Sequence, residues 1–149
     1  MNSMRTIRHI LEVKGTDLWS IGPDASVYDA LRMMSDKDVG ALVVMESDRM
    51  VGIMSERDYA RKVVLLGKTS RETSVDEIMS KRVHTIHPDQ TVEEAMDLMN
   101  SNRIRHLPVV EDNAGGKLLG MISIGDVVKA IIFKQREALR SYEEKGSRS

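Results

Sequence analysis

The feature that most constrains this chain is that it contains one unit twice. Ile21-Gly-Pro-Asp-Ala-Ser-Val-Tyr-Asp-Ala30 lies over Ile86-His-Pro-Asp-Gln-Thr-Val-Glu-Glu-Ala95 at an offset of 65 residues. Across residues 21–45 and 86–110, eight of 25 positions are identical: Ile21, Pro23, Asp24, Val27, Ala30, Met34, Leu42 and Val44 match their partners. Asn113-Ala-Gly-Gly116 then lengthens a turn in the second copy and moves the register to 68, setting Gly52, Ser55 and Asp58 over Gly120, Ser123 and Asp126. A duplication of this order fixes the architecture first, because both copies must adopt the same supersecondary unit.

Each copy reads alike. A short β-type run (18–21; 83–86) ends at a Pro-Asp turn. A helix follows, opened by a capping box at Ser26-x-x-Asp29 or Thr91-x-x-Glu94. Its apolar stripe is Val27, Ala30, Leu31 and Met34, or Val92, Ala95, Met96 and Met99. Two strands come next (41–45 and 50–54; 107–110 and 118–122). A last helix starts near Ser55 or Ser123 and carries Tyr59, Val63 and Val64, or Val127, Val128, Ile131 and Ile132. The order is β-α-β-β-α, too small to close a core alone. The expectation is therefore an α/β (α+β) protein whose two repeats pack about a pseudo-twofold axis. The boundaries read as an extension over 1–14, a first repeat over 15–66, a linker over 67–80, a second repeat over 81–135 and a tail over 136–149. The linker includes a short helix capped by Ser74 with Glu77. The tail is charged and extends the last helix, fraying toward its end.

Composition narrows the function classes. Among 149 residues, Lys plus Arg is 22 and Asp plus Glu is 23, a formal charge of −1, which argues against gripping nucleic acid through bulk charge. There is no cysteine, so disulfides and thiolate chemistry are excluded. Aromatics are 3% against 11 Met, so the core is aliphatic and methionine-filled. No stretch reaches the length of a membrane span, and the first ten residues lack the apolar region of a signal peptide. The expected location is the cytoplasm.

Ser55 with Asp58, and Ser123 with Asp126, each place a hydroxyl three residues before a carboxylate at a strand-to-helix junction. Two readings fit. Both serines can be N-caps with the aspartates as their partners. Alternatively, the helix N-terminus favours a phosphate while the carboxylate accepts hydrogen bonds from a ribose diol. The copies differ around these motifs. Arg57 and Arg61 stand i, i+4 in the first, where the second has Gly125 and Lys129. That asymmetry points to a more anionic ligand at the first motif, or else to a solvated face in which Asp58 pairs with Lys62. The second copy has its own basic cluster, Arg103-Ile-Arg-His-Leu-Pro108. Pro108 removes a ladder donor, so its amide position must face an edge or a cleft. No nucleophile elbow, phosphate loop, dinucleotide fingerprint or His-Glu-x-x-His helix is present. His84 and His87 lie across a strand end and a turn rather than on one metal-binding face.

The repeated Gly-x-x-Ser-x-x-Asp, following Pro-Asp-x-Ser/Thr-Val and an apolar strand, resembles the CBS domain, and two in tandem resemble the CBS pair, or Bateman module. The resemblance covers residues 15–135, and the segment Ser55–Val64 further resembles bacterial stand-alone pairs. It implies a regulatory module that binds adenosine-containing ligands (AMP, ADP, ATP, NAD(H) or S-adenosylmethionine) in two clefts and passes its state to another protein. It assigns ribose to Asp58 and Asp126 and phosphate to Ser55 and Ser123. Ser20 and Thr85 match positions beside the base or ribose. Arg105 and His106, just before a strand that lines the cleft, reach toward phosphate, with Pro108 beside them and Arg57, Arg61 and Lys62 around the first motif. The resemblance also implies a homodimer built on helical faces such as Val127–Phe133. It carries no catalytic residue and no catalytic cofactor. The alternative is an assembly module with an unused cleft; nucleic-acid binding ranks last.

Overall fold

The computed structural model of the chain describes residues 5–111 and 116–147. Its elements are α1 (Ile7–Lys14), β1 (Ser20–Ile21), α2 (Val27–Lys37), β2 (Ala41–Glu46), β3 (Arg49–Ser55), α3 (Glu56–Tyr59), α4 (Val75–Ile78), α5 (Val92–Asn102), β4 (His106–Val110), β5 (Leu118–Ser123) and α6 (Ile124–Ser147). A π-helical turn over Ala60–Val64 continues α3. The fold is mixed α+β, and most of the repeat is realised as expected. The lengthened turn at Asn113–Gly116 lies largely outside the described residues.

Two compact units result. One is continuous, Trp19–Val83. The other joins the residues up to Leu18 to those from His84 onward. In the continuous unit the sheet order is β1-β2-β3, with β1 parallel to β2 and β2 antiparallel to β3. In the other, β4 and β5 form an antiparallel pair. Both antiparallel pairs carry a register shift at the same place in the repeat, Val44/Met45 and Val109/Val110. Thr91 forms the predicted reciprocal box with Glu94 in α5, whereas in α2 Ser26 accepts from the Asp29 N–H without the return bond, so the predicted box is only half made there. Both end on a left-handed residue, Asp38 and Arg103, each with φ 54°.

Three expectations need correction. Residues 83–86 form no strand; a single parallel bridge joins Ile86 to Val109. Ile86 donates to Pro108 O (3.0 Å) and accepts from Val110 N (2.9 Å). In that register the next rung needs an N–H from Pro108 to the His84 carbonyl, and proline has none. Next, Val64 is exposed rather than core-facing. The bonds Leu65 N–H to Ala60 O and Lys68 N–H to Val63 O span five residues and widen the turn, so Val63 stays buried while Val64 rolls outward. The charged tail extends α6 as expected, to 24 residues ending at Ser147. Lys134 pairs with Glu93 at 2.7 Å and Arg140 with Glu137 at 3.3 Å. Finally, Val128 and Ile132, expected in its apolar stripe, are exposed; Val127 is buried as expected, and Ala130 is buried beside it.

Helix α1 is an element that the repeat pattern above does not include. Ile7, Ile10 and Leu11 enter a buried cluster with Ile86, Val92, Met99, Leu107 and Ile122, all from the second repeat. Helix α4, which precedes the second repeat, enters the first repeat's cluster through Val75 and Ile78, beside Val27, Leu42 and Met54. The docking bonds are the same in kind. Val92 N–H donates to Arg5 O, Ile7 N–H to Gln90 O and Arg8 N–H to Pro88 O. Val27 N–H donates to Thr73 O, Val75 N–H to Ala25 O and Asp76 N–H to Pro23 O. Each repeat is thus closed by the helix that precedes the other one. The repeated glycines explain the fit: a Cβ on Gly52 would lie 2.6 Å from the Met79 sulfur, and one on Gly120 would lie 3.1 Å from a Leu11 methyl.

Candidate functional site

Both Ser/Asp motifs sit at the strand-to-helix junctions that the sequence assigned them, and both are built as capping boxes. The Ser55 N–H donates to Asp58 Oδ2 (3.0 Å), and the Asp58 N–H donates back to Ser55 Oγ (3.2 Å). The Ser123 N–H donates to Asp126 Oδ2 (2.8 Å), and the Asp126 N–H to Ser123 Oγ (3.2 Å). The first amide of each helix is also engaged: Glu56 N–H on Gly40 O and Ile124 N–H on Arg105 O. Part of the N-terminal donor set that a phosphate would use is therefore occupied by the chain itself.

Each carboxylate has a lysine, but the two lysines come from different places. In the continuous unit Lys62 lies four residues beyond Asp58 and reaches its Oδ1 at 3.2 Å, and it donates to Ile78 O (2.8 Å). This is the pairing that the spacing allowed. Ser80, just past α4, adds a long contact from its hydroxyl to Asp58 Oδ1 (3.5 Å), while its backbone bridges Ile53 (Ser80 N–H to Ile53 O, 2.8 Å). In the second unit the residue corresponding to Lys62 is Ala130. There Lys14, the last residue of α1, donates to Asp126 Oδ2 (2.7 Å) and to Met121 O (2.9 Å). Met121 is the repeat partner of Ile53, so Lys14 stands where Ser80 stands in the other unit. Sequence reasoning missed both Lys14 and Ser80. Lys14 is 112 positions from its aspartate.

The remaining candidates fall around these centres unevenly. Ser20 is exposed at the start of β1, paired with Val43, whose partner in β3 is Ile53; Ser55 lies opposite Ala41, two residues along. Arg57 and Arg61 are exposed on α3 and the π turn. Thr85 is half-buried next to the Ile86 bridge. His106 lies directly opposite Ser123 in the β4–β5 ladder. Arg105 is exposed, and its backbone rather than its side chain meets the motif helix. Pro108 is buried, with its carbonyl and amide side turned toward the edge occupied by Ile86. A separate open cavity of about 420 Å³, lined by Arg8, Thr16, Pro88 and Lys117 among others, touches neither motif.

Electrostatics tie the second centre together. Burial pushes the Asp126 carboxyl upward, but the Lys14 ammonium and the Ser123 N–H outweigh it and hold the group below its ordinary value. Burial first, and then the Lys14 charge, push His106 below its ordinary value of 6.5, against the opposing pull of Asp126. A histidine depressed in the folded state stays neutral where the unfolded chain takes up a proton. Its contribution to stability is full above pH 6.5 and is lost as the pH falls from there through its folded value. Denaturation midpoints at about pH 7.5 and about pH 5 should therefore differ more for the unsubstituted chain than for His106→Gln. Equal differences would show that His106 is not the group responsible.

Comparisons with known proteins agree with this architecture. The CBS domain family matches residues 7–65 and again residues 75–133. A mitochondrial CBS domain-containing protein of Arabidopsis thaliana, CBSX3, is 41% identical over 145 residues, which are 91% of this chain and 68% of that protein. A solved structure of a protein with CBS domains from Burkholderia ambifaria is 45% identical, with a TM-score of 0.81 over 87% of this chain and 96% of that one. More distantly, the CBS domain pair of protein MJ0100 superposes with a TM-score of 0.74 at 22% identity over 87% of this chain and 97% of that one, a likeness of fold. That structure is a complex with 5′-methylthioadenosine and S-adenosyl-L-methionine. With two matches that together span most of its length and both repeats folded alike, this chain belongs to the CBS domain family and carries the domain in tandem, as a CBS pair.

Proposed function

We propose that this CBS pair is a regulatory module that binds an adenosine-containing nucleotide at its Ser/Asp motifs and passes its state to a partner protein, without catalysis of its own. The observation that carries the reading is the same triad at both motifs: a carboxylate, a hydroxyl three residues before it, and a lysine ammonium on the carboxylate. A ribose diol can donate to the carboxylate, and the ammonium and hydroxyl suit a phosphate. The two ligands held by the MJ0100 pair are both adenosine derivatives, which supports the ligand class. On this reading AMP, ADP, ATP or NAD(H) is contacted by Ser55, Asp58 and Lys62 with Ser20, Arg57 and Arg61 near the first motif. Ser123 and Asp126 with Thr85, Arg105, His106 and Pro108 serve the second. The three cations of the first motif favour the more anionic ligand there.

The module acts as a homodimer in the cytoplasm on this reading. Val128, Ile132 and Phe133, each at least 40% exposed on α6, supply an apolar face for assembly. Among the described residues no helix is long and apolar enough to cross a membrane.

Calorimetric titration with AMP, ADP, ATP, NAD⁺, NADH and S-adenosylmethionine tests the reading. Saturable binding of at least one ligand is expected, weakened about tenfold or more by Asp58→Ala, Asp126→Ala or both, the scale of a lost hydrogen-bonded charge. A folded protein that binds none of the six would overturn it, and the assembly reading would take its place.

A further inference from the structure

Lys14 is a participant at the second motif that neither the repeat pattern nor the motif itself supplies. Its ammonium bridges Asp126 Oδ2 and Met121 O, so one side chain from α1 both neutralises the motif carboxylate and ties the C-terminal end of α1 to β5. In the other unit these tasks are divided. Lys62 neutralises Asp58 from the motif's own helix and donates to the Ile78 carbonyl of α4, while a backbone bridge between Ser80 and Ile53 ties the end of α4 to β3. A ligand hydroxyl arriving at Asp58 therefore meets a counter-ion fixed to the same helix. One arriving at Asp126 meets a counter-ion that belongs to a different element.

We infer that Lys14 is the specificity-determining residue of the second motif, a counter-ion that a ribose diol displaces from Asp126 and that then pairs with the ligand's phosphate. The inference rests on the nucleotide reading above. A vicinal diol that binds the carboxylate through both hydroxyls needs Oδ2 as well as Oδ1, and Oδ2 is held by the Lys14 ammonium, so a nucleoside bound in this way without phosphate must separate Lys14 from Asp126 and gives the ammonium nothing in return. A nucleoside monophosphate replaces the lost pair with a charge-assisted bond of the same kind. The second motif should therefore discriminate AMP from adenosine. Because Lys14 also holds Met121 O, the exchange loosens one tie between α1 and β5 each time the site fills.

The test uses the full chain carrying Asp58→Ala, so that the second motif is read alone, titrated with AMP and with adenosine. In this background AMP should bind more tightly than adenosine. Adding Lys14→Met should weaken AMP about tenfold while adenosine binds as well as before or better, because its competitor for Asp126 is gone. Lys14→Arg should keep the preference, and thermal midpoints should show all variants folded. An AMP-to-adenosine ratio unchanged by Lys14→Met, or an equal loss of both ligands, overturns the inference and leaves the nucleotide reading standing. If neither ligand binds even with Lys14 in place, the inference falls, and the nucleotide reading is decided by the titration of the unsubstituted chain with all six ligands.

Discussion

Deleting residues 1–14 is expected to unfold the second repeat, at the far end of the sequence, and to spare the first. Ile7, Ile10 and Leu11 are 0%, 3% and 6% exposed, and every buried partner they share comes from residues 86–130. Burial of an aliphatic side chain of this size contributes about 1.5–3 kcal/mol. Three of them amount to about 5–9 kcal/mol, comparable with the whole stability of an ordinary domain of about 5–15 kcal/mol. The deletion also removes the docking bonds to Pro88, Gln90 and Val92. Amide hydrogen exchange on the truncated chain should show α5, β4 and β5 losing protection while β2 and β3 keep theirs. Loss of protection confined to the first repeat would mean that α1 closes its own repeat, and the exchanged-helix arrangement would be wrong.

The second large effect is predicted at Gly52. An added Cβ would lie 2.6 Å from the Met79 sulfur and 3.0 Å from the Ser80 carbonyl oxygen. The methionine can move, but the carbonyl is fixed, because it accepts from the Ile53 N–H at 3.0 Å. Gly52→Ala should therefore push α4 off β3 at a cost of about 1–3 kcal/mol. Gly120→Ala is the control within the same protein. Its nearest obstacle is a Leu11 methyl at 3.1 Å, which a small rotation relieves. The roughly 0.5–1 kcal/mol regained by removing a flexible glycine offsets the remainder. Urea denaturation of the two variants should rank Gly52→Ala clearly below Gly120→Ala. Equal midpoints would show that the Ser80 carbonyl yields as easily as a side chain.

These two glycines also show how far the sequence could be read. Their repetition at offset 68 was plain, but it was joined only to the Ser/Asp motif that follows. Their role in seating a helix is not local and left no trace in the spacing. The helices themselves were legible in part. Thr6, Ile7, Ile10 and Leu11 lie over Ser74, Val75, Ile78 and Met79 at the same offset of 68. Three extra residues in the connection up to Ser20 then shift the register to 65, which hides α1 from an alignment anchored on the Pro-Asp turns. Even with α1 recognised, nothing in its sequence says that it packs on the distant copy.

The motif region was legible where chemistry and local geometry coincide. Ser55 with Asp58 and Ser123 with Asp126 sit at strand-to-helix junctions because their spacing is that of a capping box. The Asp58–Lys62 pair followed from i, i+4 spacing on a helix. Lys14 could not be found in that way, since its partner is contributed by the other end of the chain. The loss of a strand at 83–86, by contrast, is written in Pro108, whose missing donor removes a rung from the neighbouring run. The π turn at Ala60–Val64 has no signature in residue type, and it alone moved Val64 to the surface.

The account turns on whether the two Ser/Asp motifs are where nucleotide binds. An amide NMR titration of the isotopically labelled chain with AMP addresses this most directly, because it reports position as well as affinity. The account predicts saturable shifts centred on the amides of Ser55 and Asp58, of Ser123 and Asp126, and of Met121 beside Lys14. Shifts centred instead on the cavity lined by Arg8, Thr16 and Lys117, or no saturable shift with AMP or with any of the other five ligands, would contradict it.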